Sequence, residues 1–258
     1  MFDYQMHSTV SFDGHNTALQ MALSAKNAGL REICFTDHMD YTPQMDMVFD
    51  PEQYDLAYDH LEIPGLQIRK GVEYGLTPDN RQQLHRDLLR RNYDYVLGSI
   101  HMVDGVDVYM EPFWQDKTPH QAALLHLEQT LKCVQVHTEY DVLGHLTFLS
   151  KARGNPTHAL IPYDDYRDLF DQILTELVRH GKGLELNTSG IDRCGGPLPT
   201  LDYFRRFKEL GGEIVTVGSD AHHANRVGQY CREAAGIVQD IFGYVCTFAD
   251  RKPQFHTL

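Results

Sequence analysis

Ligand-type residues recur along this chain at intervals that ordinary surface chemistry does not require. Gln5 and His7 lie near the start, followed by Asp37 and His38, Glu73, His101, His145, Asn187, and finally Asp220 and His222. Neutral imidazoles mixed with carboxylates suit zinc, manganese or iron(II), whereas an all-oxygen set would favour magnesium or calcium. A carboxylate such as Glu73 can bridge two ions, and two ions a few ångströms apart can clamp a phosphoryl group while acidifying a shared water. The chemistry this predicts is metal-dependent hydrolysis of a phosphate ester. Any single His or Glu of this kind is ordinarily structural or solvated, so the inference rests on the whole set.

Each of these residues closes a short apolar or β-branched run. The runs are FDYQMH (2–7), EICFTDH (32–38), LQIRKGVEYG (66–75), YDYVLGSIH (93–101), YDVLGHL (140–146), GLELNTSG (183–190) and EIVTVGSDAH (213–222), which read as seven strands. Between them NTALQMALSAKNAG, PHQAALLHLEQTLKCVQVH and DYRDLFDQILTELVRHG carry apolar residues at helical spacing. Strand–helix alternation implies parallel strands, in an α/β barrel or a doubly wound sheet. In a barrel the C-terminal strand ends converge on one face, so residues distant in sequence would share a pocket. The segments from Thr77 to Asn92 and from Val103 to Pro119 are expected to be excursions over one end of the barrel.

Composition bounds the rest. The 258 residues, 42% of them hydrophobic, fit a single domain over residues 1–258. A net charge of -13, with 36 acidic against 23 basic residues, argues against a nucleic-acid partner. A phosphate substrate would then depend on bound cations, which override the average field of the protein. No stretch reaches the roughly 18 to 20 apolar residues of a membrane span, and MFDYQMHSTV lacks the pattern of a signal peptide. Five scattered cysteines without a CxxC suit a reducing compartment, so a cytoplasmic location is expected. The sequence contains no GxSxG, GxxxxGK[ST] or GxGxxG, and Cys194 in its Gly-rich loop has no placed base.

The segment Asp3-Tyr4-Gln5-Met6-His7-Ser8, followed by Ser11-Phe12-Asp13-Gly14, resembles the opening motif HxH(S/T)xxSxDG of the PHP (polymerase and histidinol phosphatase) superfamily. FTDH (35–38), GVEYG (71–75), GSIH (98–101), GH (144–145), LNTSG (186–190) and GSDAH (218–222) resemble its later motifs in the same order. LNTSG, GSDAH and the Val227-Gly228 pair look most like the histidinol-phosphate phosphatase branch. The resemblance implies an α/β fold, a distorted seven-stranded (β/α)7 barrel with its active site at the C-terminal strand ends. It also implies two or three divalent transition-metal ions, zinc, manganese or iron. Carried over by position, one ion falls to Gln5, His7, Glu73 and Asp220, and a second to Glu73, His101 and His145. A third falls to Asp13, His38 and His222, with His15 as the alternative to Asp13. Gln5 stands where the family usually has histidine, and an amide oxygen is the weaker ligand.

Glu73, Asp220 and Arg193 are the expected catalytic residues. Arg193 and Arg153 are the expected phosphate-gripping residues, because a guanidinium can contact two phosphate oxygens at once. Lys151 and Arg226 are weaker candidates, and His223 is expected to turn away from His222. Tyr109, Phe113 and Trp114 either cap an organic leaving group or pack a long loop. The resemblance implies hydrolysis of L-histidinol phosphate to L-histidinol and phosphate, a step of histidine biosynthesis. The alternatives are a phosphoesterase acting on another small phosphate or a nucleotide, and a catalytically impaired metal-binding regulatory protein.

Overall fold

Each apolar run contains a strand shorter than the run itself, and in all of them but 66–75 the last residues of the run leave the ladder toward the site. The computed structural model describes residues 1–42 and 46–258. Strands β1 (Phe2–Asp3), β2 (Glu32–Phe35), β3 (Gln67–Gly75), β4 (Tyr95–Ser99), β5 (Val142–Leu143), β6 (Gly183–Asn187) and β7 (Val215–Gly218) lie side by side in chain order. Every neighbouring pair is parallel. The sheet then nearly closes on itself. The Tyr4 N–H donates to the Val217 carbonyl at 2.8 Å, Met6 bridges Ala221, and the Asp220 N–H donates to the Gln5 carbonyl at 2.8 Å. Strands β2, β4, β5, β6 and β7 are buried throughout, which is why they read as continuous apolar runs rather than alternating ones.

The three expected helices form at Ala18–Asn27, Pro119–Val136 and Arg167–Arg179. The first two start at Thr17 and Thr118, each in a reciprocal capping box with the glutamine three residues on, which satisfies two of the amide groups a helix start leaves free. The 77–92 segment differs from expectation. It holds the helix Arg81–Leu88 that crosses from β3 to β4, and only Leu84 and Asp87 of it are buried, so its apolar periodicity is weak. The loop after β4 does reach over the barrel. It forms a hairpin of Met102–Val103 with Val106–Asp107 and a short helix, Glu111–Trp114, whose Phe113 and Trp114 are buried.

An unexpected C-terminal hairpin, Val245–Ala249 with Lys252–His256, packs at the strand starts. Its Phe248 lies 5.0 Å from the Tyr95 ring, and the Tyr4 hydroxyl accepts from the Phe248 N–H at 2.9 Å while donating to Glu32 at 2.6 Å. The opposite end of the barrel is left open for the site.

Candidate metal centre

Glu73 is fully buried near the end of β3, and its two carboxylate oxygens face different partners. Oε1 lies 2.9 Å from His145 Nε2 and 3.2 Å from His101 Nε2, while Oε2 lies 3.2 Å from His7 Nε2. Two clusters of ligand-type atoms therefore share one carboxylate, Glu73–His101–His145 on one side and His7–Glu73–Asp220 on the other. His7 Nε2 is 3.3 Å from Asp220 Oδ1. Asp220 holds φ at 54°, in the left-handed region that side chains seldom adopt, and such strain concentrates at functional sites.

A third cluster comprises His7, Asp13, His38 and His222. Asp13 Oδ2 is 3.1 Å from His222 Nε2 and 3.5 Å from His38 Nε2. Of the two alternatives in the opening motif, Asp13 is the one brought to these imidazoles. His15 instead stacks on His223 with ring centroids 4.0 Å apart, so His223 does turn outward.

Gln5 differs from the expected ligand. Its Oε1 accepts a 2.5 Å hydrogen bond from Asn187, and its Nε2 donates to Glu73 Oε2 at 3.0 Å. The amide thus presents its nitrogen, which cannot ligate, toward the first cluster. Asn187 also donates to Glu185 Oε2 at 3.2 Å on its own strand, so it braces Gln5 against the buried carboxylate of β6. Glu185 is fully buried beneath the site with Oε1 unpartnered, and burial pushes its carboxyl well above the usual range. Gly218 makes room for this packing, since a Cβ there would meet Glu185 Oε1 at 2.2 Å and Gln5 Cβ at 2.6 Å.

The loops are fixed by a buried carboxylate. Asp37 accepts from the Ser8 N–H at 2.8 Å and from the Ser11 N–H and hydroxyl at 3.2 and 2.9 Å, tying the opening motif to β2. The Ser11 hydroxyl in turn accepts from the His38 N–H at 2.9 Å.

A cavity of roughly 710 Å3 opens above the three clusters. Its walls include Phe12, Met47, Tyr109, Met110 and Phe148, with Asp107 and Arg193 among the charged groups. Arg193 is exposed, with Nη1 3.4 Å from the Tyr109 hydroxyl and Nη2 3.3 Å from His158 Nε2. Arg226 is paired to Asp192 at 2.7 Å. Arg153 does not line the cavity: the single turn Phe148–Lys151 directs Lys151 inward, and Arg153, past the buried Ala152, is exposed. The Lys151 ammonium pairs with Asp220 Oδ2, donates to the Ser189 hydroxyl at 2.8 Å and sits 5.1 Å from the Phe148 ring centroid. Sequence reasoning ranked Lys151 low and passed over Asp40 and Glu185. The spacing of two residues between His38 and Asp40, and between Glu185 and Asn187, places each pair on one strand face and was the available signal.

The donor set fits divalent transition metals. His7 Nε2, Glu73 Oε1 and Asp13 Oδ1 are buried atoms with no hydrogen bond, an arrangement that costs free energy unless a cation completes it. The charges agree. Burial favours a neutral Glu73, yet the neighbouring imidazoles of His145, His38 and His101 hold its carboxyl well below the usual range. Burial and the neighbouring His38 oppose the charging of His7, but the close carboxylates of Asp220 and Glu73 outweigh them and raise it to about 9. His101 is likewise raised to about 10 against burial, mainly by Asp40.

The chain has similar proteins of known fold and name. A histidinol phosphate phosphatase from Lactococcus lactis subsp. lactis, solved in complex with zinc, L-histidinol and phosphate, superposes with a TM-score of 0.89 at 27% identity, covering 98% of each chain. A Thermotoga maritima relative named "probable histidinol-phosphatase" is 30% identical over 236 residues, 90% of this chain and 89% of its own. A relative from Clostridium acetobutylicum with the same name is 27% identical over 248 residues, 93% of each chain. The family model described as PHP domain matches residues 3–189, a span holding the first six strands and most of the clustered ligands, and the chain belongs to that family.

Proposed function

We propose that this chain is a metal-dependent phosphomonoesterase and that its substrate is L-histidinol phosphate. The observation that carries the reading is the convergence of four overlapping groups of ligand-type atoms, two of them sharing Glu73, at the floor of one cavity walled by Lys151 and Arg193. The ligands held by the Lactococcus lactis relative, zinc, L-histidinol and phosphate, support the choice of substrate.

His7, Glu73 and Asp220 would hold one ion, Glu73, His101 and His145 a second, and Asp13, His38 and His222 a third. Bound ions supply Lewis-acid neutralisation of phosphoryl charge and acidify the attacking water. The chain's own contribution is placement and charge. Lys151, Arg193 and Arg226 line the cavity; Arg226 is engaged by Asp192, and Lys151, preorganised by Ser189 and Asp220, and Arg193 are the cations proposed to neutralise phosphoryl oxygens. Phe148, Tyr109 and Met110 give the organic half an apolar wall, and Asp107 offers a carboxylate to a cationic substrate. No nucleic-acid or membrane partner is part of this reading, and no helix of the described residues is long and apolar enough to cross a membrane.

Phosphate release from L-histidinol phosphate, measured beside a panel of other phosphomonoesters and nucleotides, tests the proposal. Chelation should abolish turnover, and zinc, manganese, iron or cobalt should restore it. A chelated protein with full activity would refute the metal role. A preference for another ester would refute the substrate, and metal binding without any turnover would favour the regulatory alternative.

A further inference from the structure

Asp40 forms a further group of ligand-type atoms with His38 and His101, but it meets them through the nitrogens that face away from the other three clusters. Asp40 is buried at the end of the short strand His38–Asp40, which pairs parallel to β3 with His38 opposite Glu73. Its Oδ1 is 2.8 Å from His101 Nδ1, a hydrogen bond, and its Oδ2 is 3.3 Å from His38 Nδ1, a charge contact without a hydrogen bond, the next carboxylate oxygen being Glu73 Oε2 at 3.7 Å. The same two imidazoles turn their other nitrogens elsewhere. His101 Nε2 faces Glu73 in the second cluster, and His38 Nε2 faces Asp13 in the third. Their rings lie 5.3 Å apart and nearly perpendicular, so one carboxylate can reach both.

We propose that Asp40 is a positioning residue shared by two ion sites, orienting His101 for the second and His38 for the third and so coupling their occupancy. The hydrogen bond to Asp40 fixes the tautomer and ring angle of His101 and makes its Nε2 a more basic ligand, while the charge of the same carboxylate at 3.3 Å favours the orientation of His38 that turns Nδ1 toward it. One such carboxylate behind two ligands of different ions means that its loss weakens both sites together. The backbone has been kept clear for it. Gly75 sits beside Asp40, and a Cβ there would lie 1.9 Å from Asp40 Oδ1. The second glycine of GVEYG is therefore explained by the carboxylate that needs its space.

The inference rests on the metal reading of the site, and the test separates the two. Purified wild type, Asp40→Asn and Gly75→Ala are dialysed against graded chelator, the ions retained are counted by elemental analysis, and folding is followed by circular dichroism. In Asp40→Asn two ions should leave at chelator concentrations about tenfold to a hundredfold lower than in wild type, with the remaining ion unaffected, and all should return at saturating metal. Gly75→Ala keeps the carboxylate but displaces it, and should weaken the same two ions. Weakening of only one ion, or of none, in a folded Asp40→Asn would overturn the proposal. Permanent loss of an ion at saturating metal would overturn it too, by making Asp40 a direct ligand. A wild type that retains no ions would instead remove the metal reading itself.

Discussion

Replacing Glu73 by glutamine keeps the side-chain volume and removes one charge from the centre of the site. The carboxylate is fully buried, and its oxygens face His145 and His101 on one side and His7 on the other at 2.9 to 3.2 Å. Gln5 Nε2 donates to it at 3.0 Å, so a glutamine amide turned that way meets another donor. Turned the other way, its NH2 faces the two imidazoles of the second cluster. Neither orientation reproduces two acceptors, and deleting one partner of a buried, paired charge costs about 3 to 5 kcal/mol. If about 4 kcal/mol of that is lost from the transition state, kcat falls by about a thousandfold, at 1.36 kcal/mol for each factor of ten. The assay is steady-state phosphate release at saturating metal, with ion content measured on the same samples and circular dichroism to show that the fold is kept. A variant with its full ion complement and kcat within tenfold of wild type would show that Glu73 does not join the two clusters. His101→Ala, which strips a ligand from only one cluster, should fall comparably in kcat.

Arg193→Ala should raise KM for the phosphomonoester and lower kcat by a combined 1.5 to 3 kcal/mol, about ten- to a hundredfold in kcat/KM, whereas exposed Arg153→Ala should leave both unchanged; equal effects would refute the assignment. Gln5→His should tighten the first ion and raise activity at limiting metal but not at saturation, and superimposable metal titrations would show that Gln5 does not limit that site. His7 at about 9 and His101 at about 10 both lie above the ordinary 6.5. Their protonated, paired forms therefore stabilise the fold fully below pH 6.5, and that contribution is lost as pH climbs through 9 to 10. Chelated protein should lose Tm over this window while metal binding, which displaces the same protons, tightens, and a flat chelated Tm would refute the pairing.

Much of the fold was legible because a sheet buried on both faces leaves uninterrupted apolar runs, and because Thr17 and Thr118 announce their helices through capping boxes. The parts that escaped lack such signals. The C-terminal hairpin turns at Asp250 and Arg251 with φ of 48° and 63°, and although aspartate tolerates this conformation, the arginine after it stands where glycine usually marks such a turn. The helix Arg81–Leu88 buries too little to impose an apolar period. Lys151 reaches the site from a single turn of 3-10 helix after β5, where no periodicity predicts direction.

The site was more legible than the contacts that build it, and the reason is geometric. In a parallel barrel the C-terminal strand ends converge whatever the side chains do, so residue type at those ends is informative without any knowledge of distance. His7, Glu73, His101, His145 and Asp220 were readable on that basis, and they cluster. Roles that depend on which atom of a side chain faces the centre were not readable. Gln5 marks the limit: its departure from the motif is plain in the sequence, but an amide carries both an acceptor and a donor. Which of them meets Glu73 is decided by Asn187, 182 positions away on β6, whose own amide is shared with the buried Glu185. A ligand becomes a brace through a partner that neither spacing nor local pattern connects to it.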